Sequence, residues 1–246
     1  AWSALVPVTS AFAFVVAKTF VDRPEAATAS LWFMVLAVVF GFAVNRFKVP
    51  FALASVVGVG LLFAGLVFGL NHPLVLHEDP ETARKIWLWI LFAYCFVASV
   101  TPVWALLQPR DYLNSYLLYA MMAAGLVGVV VHNPKIEVPE FTGWHNAELG
   151  WLFPALFVTV ACGAISGFHS LVGSGTTSKQ LDKETDAKLV GYGGMLIESL
   201  LAILALVVVA TMVRSDYLKH MGAGGPVIVF SEGLGTIIAS LKVDRD

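Results

Sequence analysis

Six stretches of this chain run for 17 to 28 residues without a single Asp, Glu, Lys or Arg: residues 1–17, 26–45, 49–70, 86–109, 112–133 and 151–178. A helix crossing a bilayer needs about 20 predominantly apolar residues. Inside hydrocarbon each backbone polar group must find its partner within the protein, which restricts such stretches to helices or closed barrels. A seventh stretch, 190–213, carries Glu198 as its single charge, and an eighth, 226–241, is shorter and contains Glu232. The pattern predicts seven transmembrane helices and one partial or re-entrant piece. The fold class is therefore an all-α integral membrane protein, a polytopic helix bundle forming one transmembrane domain over residues 1–246.

Composition agrees. Hydrophobic residues make up 58% of the chain and charged residues 13%, against about a quarter charged in an ordinary globular domain. The net charge of −2 carries little information, because the charges sit in loops, and no basic tract suggests a nucleic-acid partner. Cys95 and Cys162 fall in separate predicted spans and read as small apolar fillers, not as a disulfide or metal pair. The chain opens on "AWSALVPVTSAF", inside an apolar stretch and without a basic n-region, so it reads as a portion of a longer protein. The short turns "NRFK", "QPRD" and "SKQLDKETDAK" share one side, placed in the cytoplasm; the longer acid-rich loops share the other. Trp87, Trp89, Trp144 and Trp151 stand at expected span starts, where amphipathic rings settle at the interface.

Chemistry concentrates in "FVTVACGAISGFHSLVGSGTTSKQL", residues 157–181. Gly163, Gly167, Gly173 and Gly175 alternate there with Ser166, Ser170, Ser174, Thr176 and Thr177. Each Gly costs a helix interior about 1 kcal/mol relative to Ala, so the run predicts an interrupted helix. Broken backbone at membrane depth is tolerated only inside protein or beside a water-filled cavity, and such breaks build the solute and ion sites of secondary transporters. The bland alternative is a frayed helix end and a loop. His169, within the run, is either a hydrogen-bonded structural residue or a proton carrier.

Glu198 has Gly191, Gly194, Ala202 and Ala205 at helical spacing, a small-residue face expected to pack against another helix. It reads either as a proton or cation site or as a structural carboxyl paired with Ser, Thr or His. "ASVTPVWALLQPRDYLNS" is the third feature. Pro102 breaks the helical ladder there, and Pro109, Arg110 and Asp111 are expected to end that helix. Arg110 and Asp111 are then a gating or substrate contact, or an interfacial helix stop. "GLVFG", with Gly65 and Gly69, and "GAISG" have the small-xxx-small spacing that lets helices approach closely. Soluble-enzyme motifs fail: "GAISG" is not a nucleophile elbow, and "GSGTTS" lacks both the third Gly of a dinucleotide fingerprint and the Lys of a P-loop. No catalytic, metal-binding or cofactor constellation is present.

The blocks "PVWALLQPRDYLNSYLL", "FPALFVTVACGAISGFHSLVGSGTTSKQL" and "AKLVGYGGMLIESLLAILAL" closely resemble signature stretches of the carbon starvation protein A family. The resemblance runs through nearly the whole chain. It implies a prokaryotic inner-membrane transporter of peptides or pyruvate-like carboxylates, built as an inverted-repeat fold of the amino acid–polyamine–organocation type with broken helices. It also implies that the family's first block, His-His-Phe and Gly-rich, and its last helices are not in this sequence. In that register Pro102 falls in the broken sixth helix and residues 163–177 in the eighth. The reading is a proton- or cation-coupled symporter in a lipid bilayer. The alternative from another class is a channel or a non-transporting membrane sensor subunit.

Overall fold

The computed structural model describes residues 2–139, 141, 143–146, 150–165 and 167–240; within these, the side chains at 2, 4, 159, 161–165, 167–169, 171, 223 and 224 are not described. Five long helices come first: α1 (Trp2–Asp22), α2 (Pro24–Asn45), α3 (Phe51–Asn71), α4 (Pro80–Val100) and α5 (Leu107–His132). A two-residue ribbon, β1 (His145–Asn146) with β2 (Gly150–Trp151), precedes two shorter helices, α6 (Leu152–Ile165) and α7 (Gly167–Gly175). The chain ends with α8 (Asp186–Ala210), α9 (Arg214–Gly224) and α10 (Pro226–Ser240).

Among the described residues, α1, α2, α3, α4, α5 and α8 are long and apolar enough to cross a membrane. The span expected over 151–178 is described instead as α6 and α7. Phe153 has φ −100° and ψ 128° because it precedes Pro154, whose ring disfavours helical backbone in the residue before it. The α10 helix has 15 residues, a rise of about 22 Å, which is short of the roughly 30 Å hydrocarbon core.

Hydrogen bonds fix the ends of the bundle. At one end Gln108 Nε2 donates to Gln180 Oε1 at 3.3 Å, so the turns before α5 and before α8 meet. At the other end Thr28 Oγ1 donates to the His72 carbonyl at 2.7 Å, and Leu74 N to the Pro24 carbonyl at 3.3 Å. Glu137 N reaches the Ala210 carbonyl, at the end of α8, at 2.9 Å. The short turns therefore collect at one end and the long loops at the other, as the sequence pattern requires of helices that cross in alternation.

Small residues set the closest helix contacts. A methyl group on Gly69 of α3 would stand 2.9 Å from the Glu25 carbonyl of α2, and one on Gly65 would overlap Trp32. The "GLVFG" spacing thus serves close packing. Leu36, Phe40, Ala54, Leu62 and Leu113 form the core between α2, α3 and α5. Leu204, Val208, Leu234 and Ile237 form a second core between α8 and α10, with Gly125 and Gly128 of α5 pressed against it. Trp89 is 77% exposed and Val130 79%; such apolar faces suit lipid or further protein. Trp87 corrects the expectation of an interfacial ring: it lies two turns inside α4, 2% exposed, edge-on to Phe20 of α1 at 4.9 Å.

Candidate functional site

The break expected at Pro102 is present, and its geometry differs from the reading of a single helix over 86–109. Helix α4 stops at Val100, Thr101 is extended, and residues 102–106 form turns before α5 begins at Leu107. Thr101 Oγ1 donates to the Val97 carbonyl and Ser99 Oγ to the Phe96 carbonyl, each at 2.7 Å, so hydroxyls engage carbonyls of the last turn. Pro109, Arg110 and Asp111 do not end a helix. Pro109 and Arg110 lie in the first turn of α5 and Asp111 directly follows it; a proline's missing N–H costs nothing there because first-turn donors have no intrahelical partner.

Arg110 is clasped from two directions. Its Nη1 donates to the Tyr94 hydroxyl of α4 at 3.0 Å, while Nε and Nη2 donate to Asp111 Oδ1 at 3.1 and 3.0 Å. The planar guanidinium fork bridges both partners at once. Beside it Tyr112 donates to Ser55 Oγ of α3 at 2.9 Å, and its oxygen lies 2.8 Å from that of Tyr116. Polar groups therefore tie α3, α4 and α5 together at the short-turn end.

The glycine- and hydroxyl-rich run approaches the same end. Helix α7 extends through Gly173 to Gly175, and a 3₁₀ turn follows over Thr177–Lys179. Gly173 thus sits in helical backbone, where interruption was expected. Ser166 lies outside the described residues, and of Gly163, Gly167 and His169 only the backbone, helical in each case, is described. Ser170, Ser174 and Thr176 are exposed and Thr177 is half-buried. Among the described residues, nothing lies within 4 Å of a Cβ added at Gly173 or Gly175. The run ends three residues before Gln180, which joins it to Gln108 and hence to the Arg110 turn.

Glu198 lies midway along α8. It is exposed, and Gly191 and Gly194 have nothing within 4 Å of an added Cβ. The small-residue face expected to pack against a helix is open among the described residues. Packing of α8 occurs further along, through Leu204 and Val208.

The sequence reading missed a cavity of about 190 Å³ at the long-loop end. His132 from α5, Asp216 and His220 from α9, and Glu232 and Thr236 from α10 line it together with Thr211. Glu232 is also ion-paired with Arg23, in the turn between α1 and α2. The available signal was the spacing of four residues in both Asp216/His220 and Glu232/Thr236, which puts each pair on one helical face. No group of three His, Cys, Asp or Glu among the described residues could hold a metal ion.

Comparison with known proteins supplies the context for this geometry. The family model described as carbon starvation protein CstA matches residues 1–243. A pyruvate/proton symporter of Escherichia coli (strain K12), BtsT, is 43% identical over 163 residues, 62% of this chain and 22% of that protein. A peptide transporter of Mycobacterium tuberculosis, CstA, is 43% identical over 173 residues, 66% of this chain and 22% of its own. The Escherichia coli peptide transporter CstA is 50% identical over 123 residues, 48% of this chain and 18% of its own. The matched portion is thus about a fifth of the length of these curated relatives. No solved structure matches the chain.

Proposed function

The chain belongs to the carbon starvation protein CstA family, and from that membership we propose that it is one portion of a secondary active transporter. The transporter imports peptides or short carboxylates such as pyruvate together with protons. The observation that carries this reading is the family match through a bundle of membrane-length helices, with relatives named for peptide transport and pyruvate/proton symport. The reading puts the bundle in the inner membrane of a prokaryote and leaves no catalytic step to assign.

In this reading the run from Gly163 to Thr177 serves solute or cation through backbone and hydroxyl groups. Support comes from its exposed hydroxyls, from the space left beside Gly173 and Gly175 among the described residues, and from the Gln180–Gln108 bond that brings its end to the Arg110 turn. The break at Pro102 lets α4 and α5 adjust relative to each other. The Arg110–Asp111–Tyr94 clasp gates that end. Glu198, a carboxyl within a membrane-length helix, is the coupling candidate on α8.

Uptake by the complete protein in proteoliposomes tests the reading across pyruvate, other short carboxylates and small peptides. An imposed inward proton gradient should drive accumulation above the external concentration, and a protonophore should abolish it. Solute that only equilibrates identifies a channel and overturns the proposal.

A further inference from the structure

The cavity at the long-loop end lies outside the reading just given, and its chemistry points to a ligand. Four pieces of chain converge on it. His132 is the last residue of α5, Thr211 follows α8, Asp216 and His220 share a face of α9, and Glu232 and Thr236 share a face of α10. At about 190 Å³ it has room for several water molecules or for an acid of three or four carbons.

Hydrogen-bond supply narrows the choice. Thr211 Oγ1 donates to the Val207 carbonyl and Thr236 Oγ1 to the Glu232 carbonyl, each at 3.0 Å. Both hydroxyl protons are thereby committed, and each oxygen offers only lone pairs to the cavity. Among the side chains that line the cavity, donors for an anion come from the two imidazoles.

Charge sets the condition under which they provide them. The charged groups at the cavity are Asp216 and Glu232; Arg23, in the α1–α2 turn, pairs with Glu232 and also, at 3.7 Å, with Glu25. Lys135, Glu137 and Arg214 belong to the same end of the bundle and do not line it. With His132 and His220 neutral, three carboxylates against one guanidinium leave a net negative charge of two, which repels an anion. With both imidazoles protonated the balance becomes neutral, the repulsion is removed, and each ring offers two N–H donors. Histidine is the side chain that ordinarily makes this change between pH 5 and 8.

We propose that this cavity binds a short monocarboxylate, and does so only when His132 and His220 carry protons. Solute and protons then arrive together at one mouth of the bundle. The ligand class rests on the transport reading; the site and its charge logic rest on the geometry.

The test is calorimetric titration of pyruvate into the purified complete protein at about pH 6 and about pH 8, where imidazole charge differs. Wild type should bind about tenfold more tightly at the lower pH, as the change from a net negative to a neutral surround requires. The double variant His132→Gln, His220→Gln should lose that difference and bind weakly at both. Asp216→Asn removes a negative charge and should tighten binding several-fold at the higher pH, a gain that mere damage to the fold cannot produce. A double variant that keeps the wild-type pH difference overturns the proposal. So does an Asp216→Asn protein whose affinity at the higher pH is unchanged or weaker. Failure of the transport reading looks different: pyruvate binds as described, yet proteoliposomes do not accumulate it.

Discussion

Arg23 and Glu232 are ion-paired across 209 positions of sequence, joining the turn between α1 and α2 to the middle of α10. The α10 helix otherwise packs on its neighbours α5, α8 and α9 through apolar contacts. The pair is therefore a polar tie between the two ends of the chain. Its side chains are 43% and 39% exposed, and exposed ion pairs couple by only about 0.2–1 kcal/mol.

A double-mutant cycle with Arg23→Gln and Glu232→Gln should yield a coupling within that range. Thermal unfolding in detergent reads it. A charge-swapped protein, Arg23→Glu with Glu232→Arg, should recover most of the loss. No coupling at all would show that the contact has no weight in holding α10.

Packing of α2 on α3 makes a sharper prediction. At Gly69 an added Cβ meets the Glu25 carbonyl and the backbone of Ala29, and backbone cannot swing aside. Gly69→Leu should therefore cost about 1–3 kcal/mol through overpacking and shift the protein to aggregate in size-exclusion chromatography. Gly60→Ala, on the same helix with nothing within 4 Å, should leave the elution profile unchanged. Equal behaviour of the two variants would contradict the close approach of these helices.

Much of this was legible because length and charge decide it. Uncharged runs located the membrane helices, and the Gly65/Gly69 spacing located a contact, since both are local properties of the chain. What failed depended on partners elsewhere. Trp87 reads as interfacial until Ala17, Ala27 and Phe20 are seen to enclose it. Pro109–Asp111 read as a helix stop because a proline ends a helix approached from its N-terminal side and equally suits the first turn of the next. The cavity was invisible because His132, Asp216 and Glu232 come together only when α5, α9 and α10 do.

Asp79 caps α4, accepting from Thr82 N at 2.9 Å and from Thr82 Oγ1 at 2.5 Å. These bonds hold its carboxyl below the ordinary carboxylate range, the side-chain bond from Thr82 contributing most. A lowered native value means that the cap's contribution is present above the unfolded carboxylate range. It is lost as pH falls through the native value. Protection of the first-turn amides of α4, taken against the intrinsic exchange rate at each pH, should fall at acid pH in wild type, and already at neutral pH in Asp79→Ala. Asp79→Asn, which caps without titrating, should flatten the dependence. Wild-type exchange in Asp79→Ala at neutral pH would remove the cap from the account.

Arg110→Lys keeps the charge but cannot span Tyr94 and Asp111 together. Losing a hydrogen bond of this kind costs about 1 kcal/mol. The Lys variant should melt earlier than wild type, and Tyr94→Phe should reproduce part of that shift. Melting identical to wild type in both would mean that the clasp does not hold α4 to α5.

The central claim is that solute and protons cross together, and a pH-sensitive dye trapped inside proteoliposomes of the complete protein tests it most directly. With no imposed gradient, adding external pyruvate should acidify the interior, at a rate that saturates with pyruvate concentration. Pyruvate that enters, as followed by radiolabel, while internal pH stays constant would contradict the account.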